Sequence, residues 1–349
     1  MPCGPQSDHA LSLFDDRYSI QLGAFAQLQY AATIGDADGP SLVRSDFTVP
    51  RARVCASGHA VTRRLRYRLM IGRSIQRELE VNDVVVEWEA LEWLVLRLGR
   101  FKLPIIHEWI ESAQPLATID RALASRLLLL GRDDGVRVSG RLFRQRLEYL
   151  VGVSNGDGDA ATRAADTSPA VLARLSLQAL RGARGPFIGA VNFDGDGPAI
   201  ALEAGLLWNR SRPQTTGTGG STTMSPPLED YLLNASALLR WDYFDVAIEY
   251  IGQRRDDTQA VRWTHAGSAR VTYFVPRLWS SVTGRASWAS LPATMTAPKP
   301  DDQLELEVDW GLYLDRHHAK LVSRYGALLH NPAGTVEHQL GVQAQIAVF

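Results

Sequence analysis

Alternation of apolar and polar side chains with a period of two residues most strongly limits what this 349-residue chain can fold into. The clearest case is the segment 64–71, in which leucine, tyrosine or isoleucine occupies every odd position and arginine occupies positions 64, 66 and 68. No helix can segregate such a set, whereas a β-strand sends successive side chains to opposite faces. Roughly sixteen segments show this pattern, and many approach the ~9–11 residues of a tilted strand that spans a membrane.

The connections between these segments suggest a continuous antiparallel meander. Short turns are expected near Gly58, at 73–77 and at 241–242. Long loops rich in Gly, Pro, Asp and Thr occupy 102–132, 155–169, 181–198, 210–229 and 290–302. We therefore expect short turns on one rim and long loops on the other. No linker separates two domains, so residues 1–16 are assigned to an N-terminal extension and 17–349 to a single barrel domain.

Two closed architectures share this periodicity, a soluble β-sandwich or barrel and a transmembrane β-barrel. Three features favour the membrane: the strands exceed the ~5–6 residues usual in soluble sheets, the polar faces are heavily charged, and aromatic residues border the apolar faces. The bordering aromatics are Tyr30, Trp88, Trp208, Tyr231, Trp241, Tyr250, Trp263, Tyr273 and Trp310. The sequence therefore predicts an all-β fold, a transmembrane antiparallel barrel of about sixteen strands.

Composition excludes several other classes of protein. No uncharged stretch reaches the ~18–20 apolar residues of a membrane-spanning helix, and a net charge of −1 argues against a nucleic-acid partner. The only cysteines, Cys3 and Cys55, are too few for a cysteine zinc site. The N-terminal residues lack the pattern of a secretory signal, so either the chain stays in the cytoplasm or its signal is missing from this sequence.

Two segments carry a resemblance to a known family. They are 96–104, Leu-Arg-Leu-Gly-Arg-Phe-Lys-Leu-Pro, and 131–156, with Arg-Asp-Asp-Gly-Val at 132–136 and Glu-Tyr-Leu-Val-Gly-Val at 148–153. Both resemble the phosphate-selective porin O/P family. The resemblance implies a sixteen-stranded barrel in the outer membrane of a Gram-negative bacterium, commonly a homotrimer, that passes small anions through a pore lined by arginine and lysine. The lysine clusters expected at such a constriction are absent, since the chain has only three lysines.

Charged residues at inward parity are the candidate pore lining. The basic ones are Arg51, Arg53, Arg64, Arg66, Arg68 and Arg97, and the acidic ones are Glu87, Glu148, Glu249, Glu305 and Glu307. Rows of guanidinium groups offer forked donors to an anion that sheds water. The structural alternative is a solvated face held by ion pairs between these arginines and acids of the next strand. Acids concentrated in the later strands would set up a transverse field and weaken phosphate selectivity.

The segment 103–130 is a candidate constriction loop that folds into the lumen. Its charged residues, which would narrow the passage, are Glu108, Glu111, Asp120, Arg121 and Arg126. The alternative is an extracellular loop with a short helical turn.

Metal binding and catalysis have little support. Asn192, Asp194, Asp196 and Glu203 approximate the spacing of a calcium loop, but ordinary turn chemistry explains them equally, and helices to flank the loop are lacking. Gly152–Gly156 fits G-x-S-x-G without the strand–turn–helix context of a nucleophile elbow. We expect no enzyme, no catalytic residue and no cofactor.

The sequence thus predicts an outer-membrane porin for passive diffusion of small hydrophilic solutes, with a preference for anions through inward-facing arginines. Its partners would be outer-membrane lipids, small solutes and two further copies of the chain. The alternative is a barrel that serves as a structural subunit or anchor of a larger cell-envelope assembly, with conduction incidental.

Overall fold

Strand formation follows the two-residue alternation along nearly the whole chain. A computed structural model gives the structure. It describes residues 11–13, 17–35, 41–74, 77–128, 131–156, 158, 168–180, 190–195, 197–211, 214–216, 222–224, 228–256, 260–292, 301–331 and 334–348.

Sixteen long antiparallel strands form the wall. They are β1 Tyr18–Gly35, β2 Ser41–Ala60, β3 Thr62–Ser74, β4 Arg77–Leu91, β5 Leu94–Lys102, β6 Arg132–Leu142, β7 Leu147–Ser154, β8 Ala170–Leu180, β9 Ala199–Ser211, β10 Leu228–Trp241, β11 Phe244–Asp256, β12 Val261–Val275, β13 Ser280–Leu291, β14 Asp301–Asp315, β15 Ala319–Asn331 and β16 Thr335–Val348. Each pairs with its neighbours in the chain, and β16 closes the sheet on β1, from Val348 opposite Ala24 to Glu337 opposite Gly35.

The remaining elements are short. Residues Leu11–Leu13 pair with the start of β1, and Gln214–Thr216 pairs with Thr222–Met224 between β9 and β10. Two helices, α1 His107–Ile110 and α2 Leu123–Leu127, lie between β5 and β6, and a 3-10 turn, Pro276–Leu278, joins β12 to β13. No helix in the described residues is long and apolar enough to cross a membrane.

The two faces of the wall differ as the alternation predicts. Apolar side chains such as Leu22, Ile248 and Val308 are exposed on the outside, whereas Gln27 and Arg270 are buried within. The soluble alternative required the leucine and valine faces to pack against each other in a dry centre, and they do not. The prediction of an all-β, transmembrane sixteen-stranded barrel is confirmed. The sheet is closed and leaves no strand edge unpaired, as a surrounding of lipid requires.

Aromatic side chains border the outer apolar band. Trp88, Trp241 and Trp263 are all exposed on the outer surface. Some tyrosine hydroxyl groups have a hydrogen-bond partner nearby: the hydroxyl oxygen of Tyr250 and the Nδ1 atom of His265 lie 2.8 Å apart. Such amphipathic rings suit a boundary between lipid and water.

The distribution of connections needed two corrections. The rim at which β2 turns into β3 carries mostly short connections, and we call it the turn rim; the other is the loop rim. Segment 181–198 joins β8 to β9 and therefore lies at the turn rim, not with the other long loops. The short connection at 73–77 belongs to the loop rim, where Ser74 pairs with Arg77. Direction reverses at every strand, so the count of strands, not loop length, decides the rim.

Candidate functional site: an inserted loop and an arginine-lined passage

The connection between β5 and β6, residues 103–131 and described at 103–128 and 131, folds into the barrel; we call it the inserted loop. Ile105, Ile106 and Ala122 of this loop have no measurable exposure. Its backbone reaches the far wall, since the Ile119 N–H donates to Asp309 Oδ1 over 3.1 Å and the Ala124 N–H donates to Ser287 Oγ over 3.1 Å. These contacts join the loop to β14 and β13, on the side of the barrel opposite its origin.

An apolar cluster inside the barrel anchors the loop. Its loop members include Ile105, Ile106 and Trp109. They pack with inward-facing residues of β8, β9, β10 and β11, which are Leu172, Leu207, Leu232 and Ile251. Sequence reasoning missed this cluster. The available signal was a break in the alternation, because each wall residue follows another apolar or aromatic residue directly, as Leu207 follows Leu206.

Ion pairs add a second set of anchors. Glu108 accepts from Arg285 Nη1 over 2.8 Å, and Arg126 Nη2 donates to Glu305 over 2.9 Å. On the near side of the lumen, Arg51 Nη2 donates to Asp120 over 2.9 Å. Glu108, Asp120 and Arg126 are therefore paired with wall charges, as buried ions require, whereas the buried guanidinium of Arg121 donates to the Glu108 and Glu111 carbonyls of the loop itself.

The acids of the later strands lie beneath this loop. Glu305 accepts from Arg324 over 2.7 Å, Glu307 pairs with Arg285 and Arg324, and Glu249 Oε1 accepts the His107 backbone N–H over 2.6 Å. All three carboxylates are buried. They face inward, as predicted, but the prediction that they line the pore needs correction, because the inserted loop and neighbouring arginines cover them.

The loop environment shifts the pKa of its own ionisable groups. Burial by itself lowers the pKa of His107, but the hydrogen bond to Glu203, 2.8 Å from Nδ1, and the charges of Glu203, Glu111 and Glu249 outweigh it and raise the pKa to about 9. Burial raises the pKa of Asp120, yet the charges of Arg51 and Arg126 prevail and hold it well below its usual range. At neutral pH His107 is a cation and Asp120 an anion.

A second segment enters the barrel from the turn rim. Phe193 packs edge-on against Phe274 and Tyr313, with ring centroids 4.9 Å away in both cases, and Asp194 pairs with Arg316 at 2.9 Å. The Ala190 N–H donates to Pro115 of the inserted loop over 3.4 Å. The two segments therefore meet inside the barrel, where the inserted loop packs on strands from β8 to β14 and the second segment contacts β12 and β14.

Space lined by charged side chains remains along β2–β8, and we call it the passage. Two cavities of about 380 Å³ and 320 Å³ adjoin there and share the side chains of Arg97, Arg137, Ser139, Arg141 and Glu148. Among the described residues, nine basic and five acidic side chains line them. The basic ones are Arg53, Arg66, Arg68, Arg97, Lys102, Arg132, Arg137, Arg141 and Arg174, and the acidic ones are Asp83, Glu87, Glu89, Glu92 and Glu148. A third cavity, of about 600 Å³, opens at the loop rim between the inserted loop and residues such as Asp230 and Arg255.

The predicted pore-lining residues thus fall into three groups. Six line the passage, and they are Arg53, Arg66, Arg68, Arg97, Glu87 and Glu148. Four lie under the inserted loop, namely Arg51, Glu249, Glu305 and Glu307. Arg64 is exposed and reaches the Ala90 carbonyl near the turn rim, outside both cavities. Parity places a side chain inside the barrel, but position along the strand decides what it meets there.

Five basic residues of the passage were not anticipated, Lys102, Arg132, Arg137, Arg141 and Arg174. Arg137 could have been found, because it alternates with Val136 and Val138 as Arg66 does with its neighbours. Lys102 and Arg132 are the last residue of β5 and the first of β6, where alternation offers little information.

The residues of the candidate calcium loop are separated. The Asn192 amide donates to the Asp242 carbonyl, Asp194 pairs with Arg316, and Glu203 on β9 binds Arg174 at 2.7 Å. Asp196 lies outside the described residues. Among the residues placed by the structure, no group of three or more His, Cys, Asp or Glu could hold a metal ion.

Comparison with known proteins identifies the fold. An anion-selective porin from Comamonas acidovorans superposes with a TM-score of 0.65 at 11% identity, covering 94% of this chain and 100% of that one. The outer membrane channel DcaP of Acinetobacter baumannii gives 0.61 at 11% identity, covering 97% and 100%. OmpT of Vibrio cholerae in a trimer form gives 0.58 at 14%, covering 93% and 99%.

At these identities the likeness establishes the architecture of outer-membrane porins and nothing finer. No family model matches the chain. No curated protein matches it either.

Proposed function

We propose that this chain is an outer-membrane porin through which small hydrophilic solutes diffuse passively, with a preference for anions. One observation carries the proposal: the inserted loop docks on the acid-rich wall and leaves a passage in which basic side chains outnumber acidic ones. The net charge of the whole chain is nearly zero and does not show this excess of basic groups in the passage. Acids of β11–β14 contribute to that net charge, but they are paired with arginines beneath the loop.

Electrostatics gives the expected direction of selectivity. In a narrow aqueous path with low-dielectric walls, the summed field of the lining charges raises the local concentration of counter-ions. Several arginines are already paired, such as Arg97 with Glu87 and Arg68 with Asp83. The surplus is therefore modest, and we expect a general pore with moderate anion preference. Phosphate selectivity is a finer prediction with less support, since Lys102 is the one lysine lining the passage among the described residues.

The comparisons support the porin proposal, and they lend nothing to the alternative of a structural subunit in an envelope assembly. Outer-membrane location and homotrimeric assembly belong to the proposal as well. The trimeric OmpT provides the support for assembly.

The reversal potential of the purified protein in a planar bilayer tests the proposal. Under a tenfold KCl gradient we expect ohmic channels whose reversal potential has the sign of anion preference. The triple variant R68Q/R97Q/R137Q should shift it toward cations, because it removes three positive charges from the cavity lining, while Asp83 keeps Arg132 and Glu87 keeps Arg66 as a partner. The matched control is R254Q, whose guanidinium lies over Tyr231 on the outer face. A silent bilayer, or cation preference in the unaltered protein, would refute the proposal.

A further inference from the structure

The smaller of the two adjoining cavities, of about 320 Å³, combines cations that lack a carboxylate with an apolar lining. We infer that it is a binding site for small organic carboxylates with an apolar body, a step along the conduction path of the porin proposed above. This inference rests on the proposed function for its role in transport, but the binding itself can be measured separately.

Arg53 and Arg137 are the residues that indicate an anion. Most basic residues of the cavity have an acidic partner: Asp83 serves both Arg68 and Arg132, Glu87 serves Arg97, and Glu203 serves Arg174. Arg53 and Arg137 differ. Within the part of the chain that the structure describes, neither side chain forms an ion pair or hydrogen bond. The Nε atom of each is buried without a hydrogen-bond partner, as is that of Arg174, but Arg174 has a carboxylate partner and these two have none.

Lys102 adds a third cation without a carboxylate. Its ammonium donates to the carbonyls of Trp109 and Glu111, over 2.9 Å and 3.1 Å, which neutralise no charge. A buried charge without a counter-charge is destabilising. An anion in this cavity would supply a counter-charge among these cations.

Arginine favours a carboxylate over a spherical anion. Its planar guanidinium presents parallel N–H groups that match the two oxygens of a carboxylate. Arg137 is also oriented by the protein, since its Cζ lies 5.4 Å from the centre of the Phe101 ring. Because this contact already restricts the Arg137 side chain, binding of an anion costs less side-chain conformational entropy.

The apolar lining distinguishes an organic anion from an inorganic one. Met70, Phe101 and Leu150 are buried around the cavity, and Pro104 and Ile110 of the inserted loop complete this side. Phosphate or sulfate would leave these surfaces without a partner, whereas a ring or short alkyl chain would cover them. The adjoining cavity toward the turn rim is lined almost wholly by polar groups. Only the 320 Å³ cavity therefore favours a ligand with an apolar body.

Benzoate is a suitable probe because it joins one carboxylate to one ring. In single-channel recordings in KCl, we expect benzoate to reduce chloride current in a saturable way, while equal concentrations of phosphate do not. R53Q and R137Q should each raise the half-blocking concentration about tenfold, the effect of losing a charge-assisted hydrogen bond. R255Q, in the third cavity at the loop rim, should leave it unchanged.

M70A removes an apolar contact from the cavity lining and no charge, so it should weaken benzoate block. Channels that are anion-preferring but insensitive to benzoate, or equally sensitive to phosphate, would overturn the inference and leave the proposed function standing. If no channels form, equilibrium dialysis of labelled benzoate against the detergent-solubilised protein decides the question. Saturable binding that R53Q and R137Q weaken supports the site, and its absence refutes it.

Discussion

The guanidinium of Arg285 lies 2.8 Å from the carboxylate of Glu108, so the inserted loop is attached to β13, eight strands around the barrel from β5, where the loop begins. In a ring of sixteen strands these positions are diametrically opposite. This contact and those to Ser287, Glu305 and Asp309 hold the loop across the lumen, between a filled side and the passage.

Replacing Arg285 with glutamine should loosen the inserted loop. The change leaves Glu108 and Glu307 without their shared partner, and breaking a buried pair costs about 3–5 kcal/mol. We expect a larger and noisier single-channel conductance and a lower melting temperature in detergent. R254Q on the outer face is the control. Unchanged conductance in R285Q would show that the loop stays in place without this pair.

Alkaline pH should weaken the docking of the loop through His107. Its pKa is raised to about 9 in the folded protein, so its contribution is complete below about pH 6.5 and is lost as pH rises through about 9. The shift corresponds to about 3 kcal/mol. The hydrogen-exchange protection factors of residues 103–128, which are corrected for the intrinsic base catalysis of exchange, should therefore fall between pH 8 and 10. H107Q should abolish that dependence; the same pH profile in H107Q would assign it to another group.

Leu232 and Leu233 are adjacent and face opposite ways. Leu232 is 1% exposed and packs in the luminal apolar cluster, whereas Leu233 is 50% exposed on the outer face. Leu232→Ala should open a cavity beneath the inserted loop at a cost of about 2–5 kcal/mol. We expect faster proteolysis of the loop and altered conductance. Leu233→Ala removes the same atoms from the outer face, and its conductance should match that of the unaltered protein.

Phe193 should control access at the turn rim. Phe193→Ala removes edge-on contacts with Phe274, Tyr313 and His317, each pair contributing about 0.5–1.5 kcal/mol. Release of the 190–195 segment should widen the mouth and raise the conductance of the channel.

The control for this change is Phe244→Ala, which disrupts an aromatic pair with Tyr273 on the outer face, at 4.6 Å. A conductance equal to that of Phe244→Ala would mean that the segment does not limit flow.

Much of the wall was predictable, and the contents of the barrel were less so. Arg97 and Arg285 both occupy inward positions between outward-facing neighbours, yet Arg97 lines the passage and Arg285 is buried against Glu108. Strand periodicity reports only the face of the sheet, so it cannot separate these two. The candidate constriction loop was recognised as a segment with charged residues, but its partners Arg285, Glu305 and Asp309 come from strands far away in sequence.

The sequence by itself determined the strands, because lipid outside and water inside impose a period of two on each of them. Strand length, charged polar faces and bordering aromatic residues then indicated which face meets lipid. It predicted that Arg53, Arg68 and Arg97 lie on the inner face of the wall. Only the tertiary structure decided which charges meet water. The reason is that a loop has no period of its own, and its path follows from long-range packing with Leu232 and pairing with Arg285. That path covers the acids and leaves the arginines beside the passage.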